Sequence, residues 1–204
     1  MVTVDTKPTK MKHTDEKLKG ELLLSIARAS IAEALGQEYD GYPEDLPAWL
    51  LEDGACFITL TQKGQLRGCI GSLEPHRPLL DDVKSNARSA AFKDPRFEPL
   101  TADELAITEV EVSLLSATEP LHFSSEEDAL AQLRPGTDGV IFESGHHRST
   151  FLPQVWEQLP STATFMAHLK NKAGLSADFW ADNVKLSRYT VSKWKESDYK
   201  THAA

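Results

Sequence analysis

The chain has 204 residues, a formal net charge of −9, 40% hydrophobic residues and 26% charged residues. This length suits one domain or two closely joined subdomains. The negative charge argues against nucleic acid as the main partner, because phosphate binding needs local positive charge. No apolar run reaches the ~18 residues that span a bilayer, and the polar N-terminus lacks the apolar core of a signal peptide. We therefore expect a cytoplasmic protein that binds neither nucleic acid nor membranes.

The two ends of the chain read as tails around a folded region. Residues 1–14 are rich in Lys and Thr and predict a disordered N-terminal tail. A helix is predicted from about Asp15 to Leu35, because its leucines and isoleucines repeat on one face and Gly36 is a suitable stop. Residues 196–204 are predicted to form a C-terminal tail.

A β-hairpin is predicted next. The β-branched and aromatic run at residues 56–61 and the run at residues 66–70 flank the turn signal Lys63-Gly64. The spacing then predicts a helix over Leu79–Phe92, because its apolar residues form a single stripe and Asp94-Pro95 ends it.

The second half of the chain mixes short strands and helices. Alternation predicts a strand over Ile107–Leu115, after a capping box at residues 101–104. The remaining predictions are helices at 125–133, 153–159 and 161–173, a hairpin of strands 140–143 and 148–152, and a strand at 184–194. Because regular β-α-β alternation is absent, we predict an α+β fold. It is a mainly antiparallel sheet with flanking helices, in two closely packed subdomains.

The most informative motif is the hexapeptide Leu66-Arg67-Gly68-Cys69-Ile70-Gly71, on the second strand of the first hairpin. Strand alternation predicts that Arg67, Cys69 and Gly71 share one face. Glycines add no side-chain contacts and cost backbone entropy, so two of them predict a close approach to this backbone. Arg67, Gly68 and Gly71 are therefore candidate ligand-binding residues.

Cys69 is the candidate catalytic residue. A guanidinium two residues away on the same face favours the reactive thiolate, and His76 is the nearest base in the sequence. The alternative is a small buried strand cysteine, since cysteine is among the residue types most often buried.

Arg67 and Arg96 are candidate ligands for a carboxylate or phosphate, which a guanidinium binds in a bidentate manner. Arg96 lies in the turn Lys93–Pro99, which two prolines make rigid. The alternative is a pair of structural ion pairs: Arg67 with Glu109 or Glu111, and Arg96 with Asp94.

Charge is unevenly distributed along the chain. Residues 63–96 hold seven basic and four acidic residues, a net charge of +3, whereas residues 98–128 hold nine acidic residues and no Lys or Arg. One interpretation is solvated faces, and the other is that the basic segment recognises an anion.

Metal and cofactor motifs are weak. Cys56 and Cys69 are expected to be free thiols in a reducing compartment, although neighbouring strands could bring them together. The pair His146-His147 lacks metal-ligand spacing. The phosphate-binding loops and the G-x-S-x-G elbow are absent as well. We therefore predict no metal site and no cofactor.

The hexapeptide matches in full the characteristic hexapeptide of the AMMECR1 family. The resemblance covers roughly residues 20–195 and continues through Ala90–Leu100, Glu111–Leu115, Gly139-Val140, Phe151–Trp156 and Leu186–Tyr189. Residues 15–195 are therefore predicted to form an AMMECR1-like domain of two subdomains.

The resemblance implies an α+β fold with antiparallel sheet and a functional site at the hexapeptide. The family occurs in bacteria, archaea and eukaryotes, and its biochemical activity is not established. In prokaryotes such a protein often accompanies a Memo-type protein and a radical SAM protein, as component A of that system. The resemblance therefore implies these two partners.

Two functions are consistent with the sequence. In the first, an enzyme component or substrate-handling protein binds an anionic small molecule or modified protein group through Arg67 and Arg96, with Cys69 close by. In the second, the chain is a non-catalytic interaction module, in which the glycines let a partner backbone dock.

Overall fold

The computed structural model describes residues 9–39, 41–43 and 45–199, with side chains described from residue 15 onward. In these residues the chain forms five α-helices and two four-stranded antiparallel sheets, which confirms the α+β class. The chain divides into two compact units. The first holds the residues up to Leu114 and those from Lys193 onward, and the second holds residues 115–192.

The helices are α1 (Thr9–Ala34), α2 (Leu79–Phe92), α3 (Ala102–Leu105), α4 (Glu126–Ala131) and α5 (Thr162–Lys172), with 3-10 turns at Ala48–Leu50, Pro153–Glu157 and Glu196–Asp198. The strands are β1 (Cys56–Gln62), β2 (Gln65–Gly71), β3 (Thr108–Leu115), β4 (Glu119–Pro120), β5 (Gly139–Ser144), β6 (His147–Phe151), β7 (Lys185–Tyr189) and β8 (Val191–Lys195). The first sheet has the order β2-β1-β3-β8, and the second has the order β4-β7-β5-β6.

The turn of the β1–β2 hairpin fixes the register of both strands. Gln62 pairs with Gln65, so Lys63 and Gly64 form a two-residue loop. Both have positive φ, 51° and 77°, as in a type I′ turn, whose twist matches that of the strands. The predicted hairpin is confirmed, and it places β2 at one edge of its sheet.

The core of the first unit lies on one face of its sheet. From β1, the side chains of Cys56, Ile58 and Leu60 are fully buried on this face, as the period of two requires. Helices α1 and α2 cover it with a second apolar layer: Leu23, Ile26, Ile31, Val83, Ala87 and Ala90. The opposite face carries Phe57 and Thr59, which are only partly buried.

The core of the second unit is built around aromatic side chains. Trp156 and Phe165 stack with their ring centroids 3.7 Å apart. Both rings are buried, together with Val140, Phe142 and Leu186 from the sheet. The indole Nε1 of Trp156 donates a hydrogen bond to the carbonyl oxygen of Asp138 at 2.7 Å, which satisfies the one polar group of the buried ring.

The structure corrects both tail boundaries. Helix α1 begins at Thr9, so residues 9–14 are helical, although their polar composition gave no apolar stripe to reveal it. At the other end, Glu196–Asp198 form a 3-10 turn, and Glu196 pairs with Arg28 of α1. Residues 1–8 and 200–204 of the predicted tails lie outside the described residues.

The predicted strand at 184–194 is two strands in two different sheets. Strand β7 pairs with β4 and β5, whereas β8 belongs to the first sheet. At the break, Ser116 N–H donates to the carbonyl oxygen of Thr190, and Thr190 N–H donates to Ser116 Oγ, each at 2.9 Å. Residue alternation does not reveal a change of pairing partner, and the prediction of a single strand was therefore wrong.

Candidate functional site

A β-bulge interrupts the hexapeptide and alters its predicted faces. The register of β2 against β1 shifts by one residue and leaves Arg67 without a strand partner. Cys69 pairs with Thr59, and Leu66 pairs with Thr61, two residues further along β1. Leu66 and Cys69 therefore lie on one face, whereas regular alternation would place these two residues on opposite faces.

Both hexapeptide glycines make room for the protein's own atoms. A Cβ on Gly68 would lie 2.2 Å from the carbonyl oxygen of Ala90 in α2. A Cβ on Gly71 would lie 2.3 Å from the ring of Phe57. The close approach predicted from the glycines is therefore present, and it is made by helix α2 and by a neighbouring side chain. A ligand contact at either glycine stays a prediction.

Arg67 forms a partly buried ion pair with Glu104 of α3. Its Nε and Nη2 donate to the two carboxylate oxygens, each at 3.2 Å. The Arg67 side chain is only 12% exposed, and its Nη1 is buried without a hydrogen-bond partner in the described structure. The ion-pair alternative holds for Arg67, but with Glu104 rather than with Glu109 or Glu111.

The capping box predicted at residues 101–104 places Glu104 for this role. Its Oε2 accepts a hydrogen bond from Thr101 N–H at 2.9 Å, and its Oε1 accepts one from Gln62 Nε2 at 3.3 Å. The two Arg67 hydrogen bonds, followed by the Thr101 bond, lower the pKa of Glu104 to about 2. The carboxylate therefore ties β2, β1 and α3 together while it remains ionised.

Asp94 and Arg96 act together on the free edge of β2. Asp94 Oδ2 accepts a hydrogen bond from Cys69 N–H at 2.9 Å, and Arg96 Nη2 donates to the carbonyl oxygen of Cys69 at 3.3 Å. These two contacts satisfy the N–H and C=O that an edge strand otherwise leaves unpaired. A carboxylate and a guanidinium thus occupy the place of a neighbouring strand at Cys69.

The Asp94–Arg96 ion pair holds both side chains in position. Arg96 Nε and Nη2 donate to the carboxylate at 2.9 and 2.6 Å. The Asp94 side chain is 2% exposed and the Arg96 side chain 52% exposed. The Arg96 hydrogen bonds hold the pKa of Asp94 far below its usual range, and Asp94 raises the pKa of Arg96. The predicted alternative of this ion pair is therefore present in the structure.

The Cys69 thiol lies on the partly open face of the sheet. Thr59 Oγ1 donates to Cys69 Sγ at 3.4 Å, and Cys69 is of intermediate burial. His76, the nearest base in sequence, is exposed, and its Nδ1 lies 3.0 Å from the carbonyl oxygen of Glu74. The thiol therefore has a hydroxyl neighbour, and its backbone is held by Asp94 and Arg96.

Phe97 brings the two candidate arginines to one place. The guanidinium carbon of Arg67 lies 5.9 Å from the centroid of the Phe97 ring, and that of Arg96 lies 5.5 Å from it. Both guanidinium groups therefore lie within cation–π distance of the Phe97 ring. We use the name "hexapeptide surface" for Cys69, Arg96 and Phe97, together with the more buried Arg67.

Sequence reasoning missed a second polar cluster, on the opposite face of the same sheet. Asp82 is fully buried in α2 and accepts hydrogen bonds from Cys56 N–H at 2.9 Å and Ser72 Oγ at 2.6 Å. It also pairs with Arg77 at 2.8 Å and accepts from Asn86 Nδ2 at 2.9 Å. The available signal was the i, i+4 placement of Asp82 and Asn86 beside the apolar stripe of α2.

The two cysteines lie on opposite faces of the sheet. Cys56 is fully buried on the helix-covered face, whereas Cys69 lies on the other. Both are free thiols. Burial, and then the nearby Asp82 charge, raise the pKa of the Cys56 thiol, so this cysteine is a core residue and not a nucleophile.

The arginines of the basic segment 63–96 are all ion-paired. The pairs are Arg67–Glu104, Arg77–Asp82, Arg88–Glu33 and Arg96–Asp94. Of these four side chains, Arg96 is the most exposed, at 52%. Any anion recognition by these arginines therefore centres on Arg96.

The histidine pair has no metal-binding geometry. His147 Nδ1 lies 2.9 Å from the carbonyl oxygen of Ala173. Within residues 9–39, 41–43 and 45–199, no group of three or more His, Cys, Asp or Glu side chains is arranged to hold a metal ion. No helix of the same residues is long and apolar enough to cross a membrane.

The fold and the hexapeptide define a class of two-unit α+β proteins with an arginine- and cysteine-containing edge strand. The sequence model of the AMMECR1 family matches residues 24–194. The chain therefore belongs to the AMMECR1 family.

Relatives and a solved structure agree with this assignment. The chain is 42% identical over 181 residues to a protein of Methanothermobacter thermautotrophicus, covering 87% of this chain and 94% of that one. It is 36% identical over 189 residues to protein MJ0810 of Methanocaldococcus jannaschii, covering 87% and 90%. The crystal structure of the uncharacterized protein PH0010 from Pyrococcus horikoshii is similar with a TM-score of 0.68 and 34% identity, covering 86% and 90%.

Proposed function

We propose that this protein is a substrate-handling component of an enzyme system and binds an anionic group at the hexapeptide surface. The group belongs to a small molecule or to a modified protein. The observation that carries the proposal is the fixed, half-exposed guanidinium of Arg96: Asp94 and the carbonyl oxygen of Cys69 hold its Nε and Nη2, and 52% of the side chain faces outward. A guanidinium already ordered by the protein loses little entropy when it binds an anion.

The other candidate residues support this site in different ways. Arg67 is a positioning residue, because its bidentate pair with Glu104 holds the bulge that precedes Cys69. Gly68 and Gly71 allow α2 and Phe57 to approach β2. Direct ligand contact is assigned to Arg96, with the Cys69 thiol as the group next to the bound anion.

Arg96→Gln tests this assignment directly. Inorganic phosphate titrated into the ¹⁵N-labelled protein is expected to shift the amide signals of Cys69 and Arg96, and the variant is expected to bind phosphate about fivefold more weakly. Arg88→Gln is the matched control, since Arg88 is also ion-paired and is 46% exposed. Equal binding by wild type and both variants contradicts the proposal.

Cys69→Ser separates anion binding from thiol chemistry. Because the proposed anion contact is made by Arg96, phosphate binding is expected to survive this substitution unchanged. A loss of phosphate binding in Cys69→Ser, measured by the same titration, contradicts the division of roles between these two residues.

We further propose that the protein works in the cytoplasm beside a Memo-type protein and a radical SAM protein. The support is membership of the AMMECR1 family over residues 24–194, because the family resemblance implies these partners. Size-exclusion chromatography of the three purified proteins tests it. Co-elution at micromolar concentration is expected, and three separate peaks contradict the proposal.

A second candidate function is a non-catalytic interaction module. The observation that favours it is a pair of exposed leucines, one at the first position of the hexapeptide and one two residues beyond its end: Leu66 is 43% exposed and Leu73 is 41% exposed. Exposed apolar side chains beside an edge strand are typical of protein contacts. Under this function, Leu66→Ser with Leu73→Ser abolishes co-elution with the partners, while Cys69→Ser keeps full cellular activity. The opposite pair of results favours the substrate-handling function.

A further inference from the structure

A cavity of about 430 Å³ lies in the first unit, apart from the hexapeptide surface. It is open to solvent and is lined by residues of helix α1, by Tyr39, by Ala106 and Thr108 around the start of β3, and by Glu196 and Tyr199 after β8. Its described lining residues include none from the hexapeptide or from the turn 93–99. This volume is in the range that holds a small molecule or a long side chain.

The ion pair of Arg28 with Glu196 forms one wall of the cavity. Arg28 Nε and Nη2 donate to the Glu196 carboxylate, and the guanidinium also donates to the carbonyl oxygens of Leu105 and Thr108 at 3.2 and 2.6 Å. Glu196 in turn accepts a hydrogen bond from Val110 N–H at 3.0 Å. Nε, Nη1 and Nη2 of Arg28 all donate to acceptors of the protein itself, so Arg28 has no uncommitted nitrogen to offer an anion in the cavity.

The remaining charge of the cavity wall is negative. Glu21 is 44% exposed, and its ion-pair contact is a long 4.0 Å to Lys17, a side chain that is itself 64% exposed. A contact of this length between exposed groups contributes little. Glu21 is therefore the least committed charged group that the described cavity wall offers to a ligand.

Two tyrosine rings complete the wall. Tyr39 is 43% exposed, and Tyr199 packs so closely on α1 that a Cβ on Gly20 would lie 2.2 Å from its hydroxyl. Burial raises the pKa of Tyr199, and the carboxylates of Glu21, Asp198 and Glu16 raise it further. Three carboxylates therefore lie near the Tyr199 side of the cavity.

We propose that this cavity binds a primary ammonium or guanidinium group, with Glu21 as its ion-pair partner and the Tyr39 and Tyr199 rings as cation–π contacts. The ligand is either a free amine or the side chain of a Lys or Arg residue on a partner protein. Aromatic rings with a nearby carboxylate are the surroundings that such cations prefer. The neutralised Arg28–Glu196 pair leaves this preference unopposed.

The test uses the full chain and two cationic probes. The diamine 1,5-diaminopentane and the peptide acetyl-Gly-Lys-Gly-amide are titrated while amide shifts are followed by NMR. Both are expected to shift signals of α1 residues 20–28 and of the turn 196–198. The probe that binds more tightly identifies the source, a free amine or a protein side chain. The same peptide with an Nε-acetylated lysine is expected not to bind.

Three variants then decide the proposal. Glu21→Gln is expected to weaken binding of the diamine about three- to fivefold, and Tyr39→Leu is expected to weaken it by a similar factor. Glu157→Gln makes the same charge change at an exposed position of the second unit and is expected to leave binding unchanged. The proposal is overturned if neither probe shifts these signals at 20 mM. It is also overturned if Glu21→Gln and Glu157→Gln change the affinity for the diamine equally.

Discussion

The two cysteines are anchored by the same device and yet differ in what their thiols can do. The amide of Cys56 donates to Asp82 and the amide of Cys69 donates to Asp94, each at 2.9 Å. Each aspartate also pairs with an arginine, Arg77 or Arg96. One pair lies at the start of α2 and the other just beyond its end, so both ends of the helix are tied to the β1–β2 hairpin.

The difference comes from the faces of the sheet. Cys56 points into the apolar core beneath α2, where burial makes its thiolate unfavourable. Cys69 points to the other face, with Thr59 as a hydroxyl neighbour. The comparison shows that a buried aspartate–arginine pair positions a strand without deciding whether the strand's side chain is reactive.

The largest expected effect is on stability, through Asp82. Asp82→Ala leaves the buried Cys56 amide and the Ser72 hydroxyl without their acceptor and is expected to lower the free energy of unfolding by about 3 kcal/mol. Urea unfolding measures it. Asp81→Ala, at the exposed neighbouring position, is the control and is expected to change it by less than about 0.5 kcal/mol. If the two variants lose the same free energy of unfolding, the structural role of the Asp82 cluster is contradicted.

Gly68→Ala tests the contact between β2 and the C-terminal end of α2. The added Cβ would lie 2.2 Å from the carbonyl oxygen of Ala90, so the helix end must move and the free energy of unfolding is expected to fall by about 2 kcal/mol. Leu66→Ala, at an exposed position of the same strand, is the control for loss of surface contacts. A Gly68→Ala variant with the wild-type free energy of unfolding would mean that α2 does not contact β2 closely at Gly68.

The Arg67–Glu104 pair predicts a dependence of stability on pH. The pKa of Glu104 is about 2 in the folded protein, below its usual value of 4.5. Its contribution is therefore present above about pH 4.5 and is lost as the pH falls towards 2. Because Glu104 is partly exposed, we expect a contribution of about 1 kcal/mol. Urea unfolding from pH 2 to 6 is expected to show a free energy of unfolding that depends less steeply on pH for Glu104→Gln than for the wild type. Parallel curves for the two proteins would contradict a stabilising Arg67–Glu104 ion pair.

Much of the fold was predictable, because local signals determine it. The Lys63-Gly64 turn, the apolar stripe of Leu79–Phe92 and the capping box at residues 101–104 each depend on residues close in sequence, and each is present in the structure. The division of residues 184–194 between two sheets depends on pairing with distant strands. That information is not local, and alternation alone therefore predicted one strand.

The candidate site was predictable in position but not in geometry. The hexapeptide lies on the second strand of the hairpin, as expected. The bulge at Arg67 is a shift of one residue in pairing, and the neighbouring Gly68 did not reveal it, because a glycine in a strand is equally typical of a close backbone approach. Its partner Glu104 is 37 residues away, and the contact of Asp94 with the Cys69 amide spans 25 residues. Such contacts are set by packing of α2 and α3 on the sheet.

Two alkylating reagents, applied to the native protein, test directly whether the Cys69 thiol is accessible beside a fixed guanidinium. Iodoacetate is anionic and iodoacetamide is neutral, so the ratio of their reaction rates at one thiol reports the local charge. We predict that Cys69 reacts and Cys56 does not, and that Arg96→Gln lowers the rate ratio at Cys69 about threefold, whereas Arg88→Gln leaves it unchanged. Equal labelling of both cysteines, or a ratio unaffected by Arg96→Gln, would contradict the accessible thiol beside a fixed guanidinium.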